Sequence, residues 1–175
     1  MMKATIARLL TVLGILALVT TAASADESGS TLKARLSAFN EVPPKATDGA
    51  GMFTAQERNG TVTFTLTYSG LSTPAFMSHL HFGQTGVNGG VFVWLCGTLG
   101  GKPACPDGTT ERATVTGHFT AADIKAVSDQ GLAATDLAMV LRIIQNGDAY
   151  VNVHTSKFPA GEIRGQVSTG DSNGE

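Results

Sequence analysis

The stretch that decides the fold is TVTFTLTY, which runs from Thr61 to Tyr68. Its four apolar residues are Val62, Phe64, Leu66 and Tyr68, and a threonine precedes each of them. Alternation with a period of two indicates a β-strand that buries one face, and threonine favours the extended backbone. Asn59-Gly60, directly before the stretch, is a strong short-range signal for a tight hairpin. The sequence therefore predicts a strand at 61–68 that pairs with the strand before it.

Alternating patterns and apolar runs continue from this hairpin in both directions. Further strands are predicted at 32–39, 49–56, 75–82, 91–96, 112–119, 150–155 and 162–167. Thr120 to Asp123 resembles a capping box and predicts a short helix to about Ser128. A second short helix is predicted from helical spacing, by Leu137, Val140, Leu141 and Ile144. About eight short strands with one or two short helices predict an all-β fold, a β-sandwich of Greek-key type.

The first 25 residues have the pattern of a secretory signal peptide. Lys3 and Arg8 form its basic start, an apolar run follows, and Ala23-Ser24-Ala25 is a small-residue cleavage site. We expect residues 26–31 to form a flexible leader, 32–168 a single domain and 169–175 a polar tail. The apolar run is short for a membrane span, so a retained anchor is the lesser alternative. The expected location is the periplasm or the exterior, with no membrane span after cleavage.

The charge balance excludes partners that need a basic surface. The chain has 12 Lys and Arg against 14 Asp and Glu, a formal net charge of −2. Loss of Lys3 and Arg8 with the signal peptide would leave 10 against 14, a net charge of −4. Neither nucleic acid nor anionic lipid is therefore an expected partner. The sequence carries no indication of an oligomeric state.

Cys96 and Cys105 are the only cysteines of the chain. Export would place them in an oxidising compartment, where an even number of cysteines usually pairs. The glycines between them allow the tight loop that such a bridge would close. The prediction is a disulfide, and a cysteine-type metal site is the alternative.

Three of the four histidines lie in predicted strands where they share a direction. His79 and His81 are two residues apart in the strand 75–82, so they point to the same side, together with Met77. His154 lies in the strand 150–155. A rigid sheet that presents three imidazoles suits copper, with zinc as the alternative. We predict a metal site at His79, His81 and His154, with the Met77 thioether as a candidate fourth ligand that would favour copper.

The alternative is that these histidines are ordinary polar residues, hydrogen-bonded to Tyr150, Asn152 or Thr155. Under the metal hypothesis, Tyr150, Asn152 and Glu162 would instead support the ligands from behind, with Glu162 as an acceptor. His118 has no companion on its strand and is expected to be a surface or core histidine.

Other chemistry has little support in the sequence. Glu162 and Arg164 share one face of their strand, and the simplest expectation for them is an exposed charge pair. The chain has no Gly-x-Ser-x-Gly motif and its cysteines look structural, so nucleophilic catalysis has no obvious agent.

Several motifs together resemble the CHRD domain, first described in chordin and common in exported bacterial proteins. They are Asn40-Glu41-Val42-Pro43-Pro44, Gly49-Ala50-Gly51, Tyr68-Ser69-Gly70-Leu71, His79-Leu80-His81, Tyr150-Val151-Asn152-Val153-His154-Thr155 and Gly161-Glu162-Ile163-Arg164-Gly165-Gln166-Val167. The resemblance runs from about Leu32 to Val167 and implies an extracellular immunoglobulin-like β-sandwich. Its pattern includes the positions of all three histidines of the predicted site, whereas the cysteine loop is a local elaboration. In chordin these domains belong to a protein that binds secreted growth factors, a partner that a single exported domain need not share.

A weaker similarity is to copper-zinc superoxide dismutase, another Greek-key sandwich with a His-x-His strand pair. The chain lacks a bridging histidine, an Asp-containing zinc loop and a clear guiding arginine. The leading hypothesis is an exported protein that binds copper for metal binding, transport or electron transfer, with a redox or extracellular protein as a further partner. The second is a protein-interaction or adhesion module without metal. An enzyme, which would be a copper-dependent oxidoreductase of dismutase type, is third.

Overall fold

The fold is given by a computed structural model that describes residues 30–170. The predicted signal peptide, residues 26–29 of the leader and residues 171–175 lie outside the described residues. The strands are β1 (Thr31–Ser37), β2 (Ala50–Arg58), β3 (Thr61–Ser69), β4 (Ala75–Phe82), β5 (Gly90–Cys96), β6 (Ala113–Thr120), β7 (Ala149–Thr155), β8 (Ile163–Gln166) and β9 (Ser168–Gly170). The described part of the chain also contains one α-helix, α1 (Leu137–Gln145), and four short 3₁₀ turns.

All nine strands join one antiparallel sheet. Its order is β5-β4-β7-β8-β1-β2-β3-β6, and β9 adds to it by pairing with β1. Neighbours such as β4 and β7, or β8 and β1, are far apart in the sequence, so long crossovers as well as hairpins connect the strands of the sheet. The prediction of a β-rich fold is confirmed.

The strand β3 forms as its alternation predicts. Val62, Phe64, Leu66 and Tyr68 are all buried in the core. Asn59 and Gly60, with φ of 51° and 77°, form the tight turn that joins β2 to β3. Two residues with positive φ give the turn a twist that matches the flanking strands. The hairpin is therefore built from local sequence alone.

Some elements differ from the sequence prediction. Only a 3₁₀ turn, Ala121–Asp123, forms where a helix to about Ser128 is expected, although its capping box with Thr120 is present. The apolar side chains Ile124 and Val127 are instead buried in the core as part of an irregular segment. The strand β9 is not predicted, because Ser168–Gly170 has no apolar alternation, and it is held by pairing with β1.

The neighbouring strands β4 and β7 are covered on both faces along most of their length. Every residue of β7 is buried, and Ser78, His79, Leu80 and His81 of β4 are buried as well. Polar side chains on these strands are therefore enclosed, which requires partners for them inside the protein.

The cysteines pair as predicted. Cys96, the last residue of β5, forms a disulfide with Cys105. Disulfides persist in oxidising compartments, so this bond supports an exported protein. Within residues 30–170 there is no helix with the length and apolar character needed to cross a membrane.

Candidate metal centre

The candidate site is assembled by the pairing of β4 with β7. In this antiparallel register Met77 lies opposite His154, His79 opposite Asn152 and His81 opposite Tyr150. Alternation along each strand then places the three histidines on one face of the sheet. The condition on which the predicted site depends, adjacency of the two histidine strands, is therefore met.

The three imidazoles converge at short range. Nδ1 of His79 lies 3.0 Å from Nε2 of His154. One ring nitrogen from each of His79, His81 and His154 lies within 4.8 Å of the others. Two imidazole nitrogens bound to one ion at about 2.0–2.1 Å are about 3–3.5 Å apart, so side-chain movement of about 1 Å would close the set. The arrangement fits a single ion with three nitrogen ligands.

Backbone carbonyls orient two of the rings. His81 Nδ1 donates to the carbonyl of Gly89, and His154 Nδ1 donates to the carbonyl of Pro159, each at 3.0 Å. Because a carbonyl only accepts, the hydrogen-bond network assigns the proton to Nδ1 in both rings and leaves Nε2 with its lone pair. Histidines that bind metals are commonly held by a hydrogen bond of this kind on the other ring nitrogen.

Two nitrogens at this site have no partner within the described residues. Nε2 of His79 and Nε2 of His81 are buried and make no hydrogen bond. A buried polar atom without a partner costs about 1–3 kcal/mol, and native proteins contain few of them. A bound ion would satisfy a lone pair of this kind, although the His79 nitrogen that lies 3.0 Å from His154 Nε2 is Nδ1, the other nitrogen of that ring.

The protein keeps the three rings neutral. The pKa falls to about 3 for His79, mainly because burial disfavours the charged form and further because His154 and His81 are close. Burial likewise lowers the pKa of His81 and of His154 to about 4, although the Gly89 and Pro159 carbonyls oppose this. Neutral imidazole is the form that binds a metal, so protons would not compete with an ion near neutral pH.

Tyr150 and Arg164 form a stack behind His81. The rings of His81 and Tyr150 are parallel within 5°, with centroids 4.6 Å apart. The guanidinium carbon of Arg164 lies 3.4 Å from the centroid of the Tyr150 ring, and the Tyr150 hydroxyl accepts from the amide of Gly89. Tyr150 thus supports His81 by ring packing and does not hydrogen-bond to a histidine. It also stabilises the loop that contains Gly89, whose carbonyl accepts from His81.

Asn152 contacts Glu41 instead of the histidines. Its side-chain amide donates to the Glu41 carboxylate and to the carbonyl of Ile163. The Glu41 side chain is buried, and burial raises its pKa. An added Cβ at Gly161 would lie 2.6 Å from both side chains, so only glycine fits there. Asn152 therefore links Glu41 to Ile163, the first residue of β8, beside the site.

The expectation of an exposed Glu162–Arg164 pair is wrong. Both side chains are buried, with 0% and 2% of their surface exposed, and they bind different partners. Glu162 accepts from the amide and hydroxyl of Ser72 and from the hydroxyl of Thr155. It contacts the neighbour of His154 rather than His154 itself, whose acceptor is the Pro159 carbonyl.

Arg164 hydrogen-bonds to the loop between β4 and β5. Its guanidinium donates to the carbonyls of Gln84 and Val87 and to the side chain of Asn88. The same loop carries Gly89, the acceptor for His81. Arg164 therefore acts on the site through the loop and through Tyr150.

Trp94 is a neighbour of the site that sequence reasoning missed. Its indole meets the His79 ring edge-on, with centroids 4.1 Å apart, and is half-buried. An added Cβ at Gly100 would overlap the indole, so the turn inside the disulfide loop lies directly against it. The signal available in the sequence was only that Trp94 lies two residues before Cys96, in a strand next to β4.

The remaining candidates are placed as follows. Met77 is half-buried, opposite His154 and two residues before His79. His118 lies on β6, is exposed and pairs with Thr63, so it is a surface histidine outside the cluster.

Comparison with known proteins gives one match, to a family. No curated protein and no solved structure matches the chain. The model of the CHRD domain matches residues 32–167, which is most of the chain and includes every residue of the site described above. The resemblance seen in the motifs is thereby confirmed, and the chain belongs to the CHRD domain family.

Proposed function

We propose that this CHRD-domain protein binds one transition-metal ion, copper rather than zinc, through His79, His81 and His154, with Met77 as fourth ligand. One observation carries the proposal. One ring nitrogen from each of the three histidines lies within 4.8 Å of the others on neighbouring rigid strands, and the same cluster contains two buried ring nitrogens without a hydrogen-bond partner. A structural cluster of polar residues would be expected to satisfy its own hydrogen bonds. The role of the site is metal binding, transport or electron transfer.

The support for copper comes from the donor set. The cluster contains imidazoles and no carboxylate or thiolate, and Met77 lies opposite His154 on the neighbouring strand. Imidazole suits both copper and zinc, whereas thioether is a soft ligand that favours Cu(I). When bound, the ion would supply a redox or Lewis-acid centre. The chain's own residues hold the rings in place, keep them neutral and exclude water.

The proposal extends to the fold and the location. Pairing of β3 with β6, β4 with β7 and β8 with β1 places strands from different hairpins side by side, as in a Greek key. We infer that the sheet folds over as an immunoglobulin-like sandwich, in which the two end strands of the order, β5 and β6, come into contact. The disulfide supports export, and we place the protein in the periplasm or outside the cell.

Copper binding is expected to quench the fluorescence of Trp94, the only tryptophan of the chain. The indole lies against His79, so an ion held by His79 would be close enough to quench it. Titration of the purified, metal-free protein should give one ion per chain. Replacing His79, His81 and His154 together with leucine should weaken binding by more than about 100-fold, since loss of a supporting residue alone costs 10–100-fold.

Two further variants keep this experiment decisive. His118→Gln removes the exposed histidine of β6 and should bind copper like the unmodified protein. His79→Leu alone removes a ring that makes no backbone hydrogen bond, so it should fold even if the triple variant does not. Unchanged copper affinity in a folded triple variant, or in His79→Leu, would refute the metal site and favour an interaction module.

A further inference from the structure

The ligands of the site bring no negative charge to the ion. Within residues 30–170, the cluster of metal-binding side chains at this position consists of the three histidines. Two buried carboxylates are near, but both are engaged elsewhere. Glu41 accepts from Asn152 and the amide of Val42, and Glu162 accepts from Ser72 and Thr155. An ion held by the histidines would therefore keep its full charge.

Burial penalises a divalent ion more than a monovalent one. His79, His81 and His154 are only 2%, 8% and 5% exposed. The Born cost of moving a charge out of water rises with the square of that charge, so a dication costs about four times as much as a monocation of equal size. A neutral, enclosed donor set thus favours the lower charge.

A neighbouring cation acts in the same direction. Arg164 is buried and stacks on Tyr150, which in turn stacks on His81. Its repulsion of an ion at His81 would be twice as large for a divalent ion. Glu41 offsets part of this field, but it hydrogen-bonds to Asn152 and has no contact with the histidines in the hydrogen-bond network.

The surroundings also limit coordination geometry. Cu(II) prefers a tetragonal arrangement of nitrogen and oxygen ligands, which water usually completes. Here Trp94 lies against His79, and the turn within the disulfide loop is packed on the indole. Three imidazoles on rigid strands in an enclosed site fit a low-coordinate Cu(I) ion better than a tetragonal, hydrated Cu(II) ion.

We propose that the trihistidine site is selective for monovalent copper over divalent copper and zinc. This inference rests on the proposed function and specifies the ion that the site carries. The protein would hold Cu(I) as cargo, or as the resting state of an electron-transfer centre, in a compartment where free copper is readily oxidised.

The test compares Cu(I) and Cu(II) affinities of the purified protein by competition with chelators of known affinity, with Cu(I) measured under anaerobic conditions. We expect Cu(I) to bind more tightly by a factor of about 100 or more, because the neutral, buried donor set penalises the second charge. Met77→Glu places a carboxylate on the histidine face and should reduce this ratio at least about tenfold. Met77→Gln removes the thioether without adding a charge and should lower the ratio as well, so the further reduction of about tenfold in Met77→Glu measures the effect of the charge alone.

The outcomes separate this inference from the proposed function. Tighter binding of Cu(II) or Zn²⁺ than of Cu(I), with loss of binding in His79→Leu, would overturn the selectivity but keep the site. Equal effects of Met77→Glu and Met77→Gln would also overturn it, because the charge argument would then fail. Absence of binding of all three ions would instead refute the proposed function itself.

Discussion

Replacing Gly89 with alanine is expected to lower the free energy of unfolding by about 3 kcal/mol or more, and to weaken copper binding at least tenfold. A Cβ at Gly89 would overlap the carbonyl oxygen of Phe82 and lie 2.6 Å from its carbonyl carbon. Both atoms belong to the backbone at the end of β4, so no side-chain rotation relieves the clash. The loop would have to move away from the strand.

That movement would break two interactions that hold His81. The Gly89 carbonyl accepts from Nδ1 of His81, and the Gly89 amide donates to the hydroxyl of Tyr150. Urea denaturation followed by Trp94 fluorescence would measure the loss of stability, and copper titration would measure the loss of affinity. The expected loss of stability comes from the close approach of Gly89 to the Phe82 backbone, and not from an unusual backbone dihedral angle at Gly89.

Gly86→Ala is the matched control in the same loop. Gly86 has φ of 77°, but an added Cβ there would meet no atom within 4 Å. Its cost should be limited to backbone strain of about 1 kcal/mol, with copper affinity unchanged. A Gly89→Ala protein as stable as Gly86→Ala would show that the loop can relax around the added Cβ. Unchanged copper affinity in Gly89→Ala would show that the position of the loop does not affect His81.

Replacing Arg164 with methionine is expected to destabilise the protein by about 3–5 kcal/mol, although the apolar stem is kept. The guanidinium donates to two loop carbonyls, those of Gln84 at 3.0 Å and Val87 at 2.6 Å. It also donates to the Asn88 side chain and covers one face of Tyr150. Methionine supplies no donor, so these acceptors would lose their partner or turn to water.

Arg164→Lys distinguishes charge from geometry. Lysine keeps the positive charge but has neither the planar fork nor the stacking face of arginine. We expect it to recover only a minor part of the lost stability. Urea denaturation would give the free energies, and amide hydrogen exchange of Val87 and Gly89 would show whether the loop opens. Full recovery of stability in Arg164→Lys, or wild-type stability of Arg164→Met, would show that the guanidinium hydrogen bonds of Arg164 do not hold the loop between β4 and β5.

The error at Glu162 and Arg164 has a clear physical cause. Alternation along a strand predicts that two residues share a face, but it does not say whether that face is solvated or covered. At the centre of this sheet both faces are enclosed, so charged residues that look like a surface pair are buried among carbonyls and hydroxyls. The same limit applies to His79 and His81, whose shared direction was predicted but whose enclosure was not.

The short helix predicted from Thr120 shows a different limit. Its capping box forms, because a cap depends only on neighbouring residues. The segment after it leaves the helical path since Ile124 and Val127 are drawn into the core, and tertiary packing overrides local preference. The helix α1 has an amphipathic repeat of its own and forms close to where its spacing predicts.

By itself, the sequence determined the features that arise within one short segment. These are the alternation that makes TVTFTLTY a strand, the Asn59-Gly60 turn, the common direction of His79 and His81, and the disulfide between the only two cysteines. The tertiary structure alone decided that β7 lies beside β4, bringing His154 to His79 across 75 positions. It also decided that Gly89 and Pro159 orient the rings and that Trp94 and the Tyr150–Arg164 stack enclose them. The reason is that alternation follows from the geometry of one strand, whereas the choice of partner strand and the path of a loop depend on how the whole chain closes its core.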